Sequence, residues 1–405
     1  MRISDNTLNR LAVLKAIRLS GPIARSELPR VTGLSGGTIT QLTSDLIDRG
    51  LVIERKDVSK TFGRPRQYLE INADGTLVVG ASLAGASKLN IAFVSLTGIR
   101  LYEVNMSLGY HQSLASMASA IGEAIARAIT ESPFDIGDIS RVGMAIPALV
   151  NSAMGEVHYM TTFPNTGPVA FAQPISERLG LPVTIENDLT CMARAEHWFG
   201  HARDIGTFSL VYAGFAIGLA EYEEGLPKTG ANGLNAELGH VKSMFSHDAR
   251  KCVCGGHGCL NAYASMYGIL QGAQALGDAP FPPTDSLEQR FGAYLDLAND
   301  GDVNAREALE QAGKLLGLAL GNLINASDPG NLLISFANQR FQDAVSKSMM
   351  ETILANVMPG VMPSTKIEII AVAPDWRGKG AAALALEQTF LGSSSFSAKR
   401  QQKRS

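Results

Sequence analysis

The sequence predicts a mixed α/β fold in two parts: a small N-terminal segment of helices closed by a β-hairpin, and a larger domain in which strands alternate with helices. Three observations predict it. Apolar residues in the first 20 positions recur at near-helical spacing, the run after Gly50 alternates as strands do, and from about Leu77 short β-rich runs precede an Ala-rich helix at Ser113–Thr130. At 405 residues the chain is too long for one core, and 45% hydrophobic with 18% charged residues is ordinary for a globular protein.

Leu8, Leu11, Leu14, Ile17 and Leu19 give the first helix an apolar stripe, and Gly21-Pro22 ends it. A second helix is expected over about Ala24–Val31. Gly33 permits a sharp turn, Ser35 is a good N-cap, and a third helix over about Gly36–Arg49 turns Ile39, Leu42, Leu46 and Ile47 inward. Its other face carries Thr38, Thr40, Gln41 and Ser44. Short polar side chains near the start of the second helix of a helix-turn-helix reach base edges in a major groove. Leu51–Ile53 and Gln67–Leu69 then read as a hairpin whose tip holds Arg64 and Arg66 around Pro65, a basic wing suited to phosphates or a minor groove. Charge agrees: the net −3 divides into +4 over residues 1–75 and −7 over the remainder. Residues 1–75 therefore read as a winged helix-turn-helix with operator DNA as partner, the alternative being a small helical packing domain with a solvated basic loop.

Leu77–Ser82, Asn90–Ser95 and Arg100–Asn105 begin the larger domain as strands. Val142–Ile146 and Val183–Glu186 run into polar loops, the arrangement in which α/β sheets bind ligands at strand ends. Three of the four cysteines, Cys252, Cys254 and Cys259, share one Gly-rich loop. Soft thiolates so spaced, with His240 close upstream, suit a tetrahedral Cys3His site for zinc; four protein ligands leave no open position, so the zinc is structural. His247 and His257 are rival nitrogen donors. Cys191 stands apart and reads as a small buried apolar residue. This cysteine usage argues against a secreted disulfide framework. Apolar runs such as Leu315–Ile324 fall short of a membrane span, and Met1–Ser20 reads as an amphipathic helix rather than a secretion signal. A cytoplasmic protein without a membrane partner is expected. No internal repeat is visible.

Residues 1–75, together with Ile146-Pro147, Glu186-Asn187-Asp188, Glu237-Leu238-Gly239-His240 and Cys252-x-Cys254-Gly255-x-x-Gly258-Cys259, resemble the ROK family of repressors, uncharacterised frames and sugar kinases. The resemblance covers about residues 6–392. It implies a two-lobed, actin-like and hexokinase-like (ribonuclease H-like) fold for residues 76–392. One lobe would span about 76–188 with the C-terminal helix and the other about 189–375, leaving 393–405 as a basic tail. It assigns zinc to His240, Cys252, Cys254 and Cys259, and a sugar held between the lobes to Asn187, Asp188, Glu237 and His240, with Asn165 at another loop of that site. His240 would serve the metal through one ring nitrogen and the sugar through the other. Sugar-binding members commonly carry Glu two residues after the last cysteine, where this chain has Asn261. An amide donates as well as accepts, so the hydroxyl pattern read there differs.

The loops that hold ATP in the family's kinases are degenerate. Their Asp-x-Gly-Gly-Thr stands here as Ser82-Leu83-Ala84-Gly85-Ala86, and their Gly-Thr-Gly-Ile-Gly as Gly214-Phe215-Ala216-Ile217-Gly218. An adenosine-side Gly-Gly is replaced by Phe336-Ala337 after the strand Leu332–Ser335. Phosphoryl transfer needs backbone N–H cradles and a carboxylate for the metal-nucleotide. Asp188, at the catalytic-base position, is left to bond a sugar hydroxyl. The expected function is a sugar-responsive, homodimeric or homotetrameric transcription regulator, a repressor rather than an enzyme. The alternatives are an ATP-dependent sugar kinase with an accessory DNA reader, and a regulator released from DNA by a protein partner.

Overall fold

The computed structural model describes residues 5–56, 67–85, 87–164, 167–234, 236–275, 286–373 and 375–392. Arg64, Arg66, Ala86, Asn165 and the segment 393–405 lie outside them.

The N-terminal helices are α1 (Asp5–Ser20), α2 (Leu28–Thr32) and α3 (Gly36–Asp48), with β1 (Ile23–Ala24) before α2. A hairpin of β2 (Val52–Lys56) and β3 (Gln67–Ile71) follows. Val13, Leu14 and Ile17 of α1 are buried with Leu28, Ile39, Leu42 and Leu46. The second helix starts at Leu28 and not at Ala24, because Ile23 and Ala24 pair as a strand with Leu69 and Tyr68. Two residues have no period to read, so the partner strand decides their conformation. Gly33 closes α2 at φ +73°, a left-handed conformation that favours glycine. Ser35 then caps α3, its Oγ accepting from the Thr38 N–H at 3.2 Å.

The larger domain begins with β4 (Leu77–Ala84), β5 (Lys88–Ser95), β6 (Arg100–Ser107), α4 (Leu114–Glu131) and β7 (Ile139–Ile146). A small sheet of β8 (Leu149–Asn151), β9 (Glu156–Tyr159) and β10 (Val169–Ala170) precedes α5 (Ala172–Leu179), β11 (Val183–Asn187) and α6 (Asp188–Phe199). Next come β12 (Phe208–Ala213), β13 (Ile217–Glu223), β14 (Leu226–Pro227), α7 (Asn261–Ala264), α8 (Met266–Ala275), α9 (Leu287–Asp300) and α10 (Val303–Ser327). β15 (Asn331–Phe336), α11 (Gln339–Asn356), β16 (Lys366–Ile369) and α12 (Trp376–Leu391) complete it. The chain divides into two compact units. One holds the residues up to Ala195 and those from Arg377 onward, the other Glu196–Trp376.

The two units repeat one topology. The first sheet runs β11-β7-β4-β5-β6, with β4, β5 and β6 antiparallel and β7 and β11 added in parallel. The second runs β14-β13-β12-β15-β16, with β12, β13 and β14 antiparallel and β15 and β16 added in parallel. In each, a meander is extended by two parallel strands beside its first strand. This repeat is of strand order, not of sequence.

In the first unit the sheet's alternation sorts its two faces. Val79, Ala81, Val142 and Met144 join Ile121, Ile125 and Ile175 of α4 and α5 in one core. The opposite face offers Gly80 and Gly143 to α12. A Cβ at Gly143 would lie 2.2 Å from the Ala381 carbonyl, and one at Gly80 would lie 2.6 Å from the Ala382 nitrogen. α12 therefore lies directly on the strands, with Ala145, Cys191, Ala381 and Leu384 clustered around it. In the second unit, α10 and α11 supply much of the core through Leu316, Leu320, Ile324, Val345, Met349 and Ile353.

Candidate effector site and metal centre

On α3, Thr40 and Gln41 are exposed and Thr38 and Ser44 half-buried. Two of the three hydroxyls are already engaged: Thr38 Oγ1 lies 2.9 Å from the capping Ser35 Oγ, and Thr40 Oγ1 donates to the Gly36 carbonyl at 2.9 Å. Gln41 keeps an exposed amide, a group that can both donate and accept.

In the first unit, β11 ends in Glu186-Asn187 and α6 begins at Asp188. Asn187 caps that helix. Its Oδ1 accepts from the N–H groups of Leu189 at 2.9 Å and Thr190 at 3.2 Å, and its Nδ2 donates to the Ala148 carbonyl at 3.0 Å. The Asp188 carboxylate, next in the chain, meets the Leu189 N–H and the Arg377 guanidinium. Burial raises its pKa above the usual aspartate range, and the Arg377 guanidinium, with Nε 3.7 Å from Oδ2, opposes that rise. Arg377 lies far along the chain at the start of α12, and no sequence signal joins it to Asp188.

In the second unit, His240 ends a short 3-10 turn that begins at Leu238. The ligand atoms of His240, Cys252, Cys254 and Cys259 all lie within 4.8 Å of one another, a cluster that can hold a metal ion. Cys254 and Cys259 sulfurs are 3.8 Å apart, and Cys252 Sγ lies 3.6 Å from His240 Nδ1. A tetrahedron with metal–sulfur bonds of about 2.3 Å has edges of roughly 3.8 Å, so the donor set fits. Burial, with Lys242 nearby, lowers the His240 pKa and favours the neutral ring a metal needs. The other nitrogen, Nε2, lies 3.9 Å from Glu237 Oε2. One ring thus faces the cysteines and a carboxylate. His247 and His257, the rival donors, are exposed and outside the cluster.

Two supporting residues escaped sequence reasoning. Lys242 Nζ donates to Cys259 Sγ at 3.1 Å, and the Tyr267 hydroxyl lies 3.1 Å from Cys252 Sγ. Lys242 stands two positions after His240 and was legible as a neighbour. Tyr267 was not. Asn261 is buried, its Oδ1 accepting from the Ile217 N–H at 2.6 Å, and a Cβ at Gly239 would lie 2.3 Å from its Nδ2. It ties the start of β13 to the Glu237–His240 turn, and its acceptor is engaged inside the protein.

Each of the two degenerate loops of the second unit carries an aromatic side chain. Phe215, between β12 and β13, is half-exposed with its ring 5.6 Å from that of Tyr267. Phe336 is buried edge-to-face on Phe341 at 5.7 Å, and Asn338 caps α11. In the first unit, Ser82 is buried in β4.

Residues 80–388 match the family described as the ROK family. The xylose repressor of Bacillus spizizenii is 25% identical over 402 residues, covering 96% of this chain and 98% of the relative. The DNA-binding transcriptional dual regulator NagC of Escherichia coli is 27% identical over 331 residues, 81% of this chain and 80% of the relative. Among solved structures, a ROK family transcriptional regulator, a homolog of the Escherichia coli MLC protein, aligns with a TM-score of 0.78 at 27% identity. It covers 95% of this chain and 96% of its own. Sugar kinases share the fold alone; the ROK hexokinase of Thermus thermophilus, at 23% identity, spans 76% of this chain. Among the described residues, no helix is long and apolar enough to cross a membrane.

Proposed function

This chain belongs to the ROK family, and on that footing we propose that it is a sugar-responsive DNA-binding transcriptional regulator, a repressor and not a kinase. The observation that carries this reading is the likeness to a solved transcriptional regulator over 95% of the chain, the N-terminal reader included. α3 reads operator bases through Gln41, with Thr38, Thr40 and Ser44 beside it, and Arg64 and Arg66 supply the basic wing. Asp188, Glu237 and the Nε2 edge of His240 accept or donate bonds to the effector's hydroxyls. Asn187 and Asn261 position them, with Asn165 as a further contact. Zinc fills the Cys3His cluster, since thiolates and imidazole in a closed tetrahedron suit it best. Residues 1–75 form the reader, 76–392 the sensor and 393–405 a basic tail. The protein acts in the cytoplasm as a homodimer or homotetramer, the symmetry that pairs two readers with two half-sites.

The test is binding-site selection from a random duplex pool, followed by anisotropy titrations of the selected duplex against free, N-acetylated and phosphorylated sugars. At least one sugar is expected to change the affinity. If none does, or if ATP is turned over in a coupled assay, the reading fails. Gln41→Ala is expected to lose about 1–3 kcal/mol of discrimination at one base pair, measured as the affinity ratio of matched and mismatched duplexes. Asp188→Ala is expected to abolish the sugar response, the duplex affinity being the same with and without sugar. A response that survives the change would remove Asp188 from the site.

A further inference from the structure

We propose that α12 is the transmission element of the first unit, linking the Asp188 carboxylate at one end to the DNA reader at the other. This rests on the reading of Asp188 as an effector contact. α12 has 16 residues and is therefore about 24 Å long. At its start Arg377 pairs with Asp188. At its end the last carbonyls are held by two arginines of the reader. Arg10 of α1 donates to the Leu391 and Gly392 carbonyls at 3.3 and 3.4 Å, and Arg49 donates to those of Phe390, at 3.2 Å, and Thr389. Arg49 is the residue that caps the C-terminal end of α3, so the helix proposed to read bases is tied directly to α12. Asp45 of α3 lies 3.3 Å from both guanidinium groups and joins them into one unit.

The chemistry suits a socket. A helix C-terminus carries unsatisfied carbonyls and partial negative charge, and two charge-assisted donors there form a strong, directional contact. Along its length α12 meets the strands through Gly80 and Gly143, and its own Gly380 meets the Cys191 carbonyl, where a Cβ would lie 2.2 Å away. Close backbone contact at these glycines and the buried Arg194–Glu387 pair hold α12 along its length, so it responds as one rigid element rather than by local bending. Packed helices commonly shift by about 1–2 Å in switching proteins. An effector hydroxyl that bonds Asp188 competes with Arg377 for the carboxylate. Release of Arg377 frees the start of α12, and Arg10 and Arg49 carry its displacement to α1 and α3. Arg377, Arg10 and Arg49 act here as positioning residues.

Hydrogen–deuterium exchange of the full-length protein tests this without sugar or DNA. Asp188→Asn and Arg377→Ala, each breaking the pair from one side, are expected to speed amide exchange over residues 40–50 and 386–392 about five-fold or more, the low end of coupling between sites. Residues 208–223 in the other unit should stay at the wild-type rate. Arg377→Lys, which keeps the charge, should restore most of the protection, and combining Asp188→Asn with Arg49→Gln should add nothing to Arg49→Gln alone. Unchanged exchange over residues 40–50 in the two single variants, or additive effects in the double variant, would overturn the proposal. Variants that speed exchange everywhere, residues 208–223 included, would do the same by showing general loosening. Because no sugar enters this measurement, its failure leaves the sugar-response assays to judge the regulator reading separately.

Discussion

Replacing Arg194 with Met is expected to cost about 3–5 kcal/mol of stability, the usual consequence of stranding a buried charge. Arg194, on α6, is buried between two carboxylates that are themselves buried. Its Nη2 lies 3.5 Å from Glu186 Oε2, and its Nη1 is bonded to Glu387 Oε1 on α12. Burial already raises the Glu186 pKa, with Arg194 as the main opposing influence. Without the guanidinium the folded Glu186 value rises further above the unfolded value of about 4.3. The folded variant then holds protons that the unfolded chain has released, so its stability falls as pH rises above that value. The loss should therefore be smaller near pH 5 than near pH 8. Urea unfolding at the two pH values reads this directly, and a loss under about 1 kcal/mol at pH 8 would mean that the triad is hydrated or rearranged. Adding Glu186→Leu and Glu387→Leu to the Met variant should recover most of the stability, since apolar replacement of a whole buried ion cluster is often neutral.

Loss of the metal is the other large expected effect. Cys259→Ser, or a high-affinity chelator applied to the wild-type protein, is expected to remove one zinc and destabilise the protein on the order of 5 kcal/mol. That is part of the roughly 10–16 kcal/mol that structural zinc supplies in zinc-finger peptides; the second unit has a large core of its own. The loss should concentrate in the loop from Val241 to Leu260. That loop contains no regular helix or strand; besides the donor set it is held by turn and bridge bonds, such as Ser243 N–H to the Gly258 carbonyl at 2.8 Å and Leu260 N–H to the Val241 carbonyl at 2.9 Å. The same loop runs from His240 to Asn261, so effector binding should weaken with it. Elemental analysis and thermal melting provide the readout. His247→Ala and His257→Ala should retain the zinc, whereas metal-free protein with an unchanged melting temperature would end the assignment.

Much of this molecule could be read before its structure was known. The apolar spacing of α1 and α3, the Gly33 turn, the Ser35 cap and the run from Cys252 to Cys259 are local, each specified within a turn of helix, a strand or a short loop. Helical period, cap chemistry and thiolate softness need no distant partner to be recognised. For the candidate site the sequence offers residue types, and the structure shows which of their atoms are already bonded. The structure gives the cap of α6 to Asn187, and Asn261 accepts a backbone bond at Ile217.

The sequence by itself therefore determined the class of the elements that carry their own period or cap, the four residues of the cluster that can hold a metal ion and the expectation of a reader joined to a sensor. Tertiary structure alone decided which atoms are already engaged and which distant ones meet. Ile23 and Ala24 became a strand only beside β3, and the two sheets came to share one strand order without a visible sequence repeat. Arg10 and Arg49 found the end of α12 across 381 and 341 positions of chain. The physical reason is range. Backbone periodicity and capping depend on neighbours a few residues away, whereas the partner of a long charged side chain is fixed only when the whole core has packed.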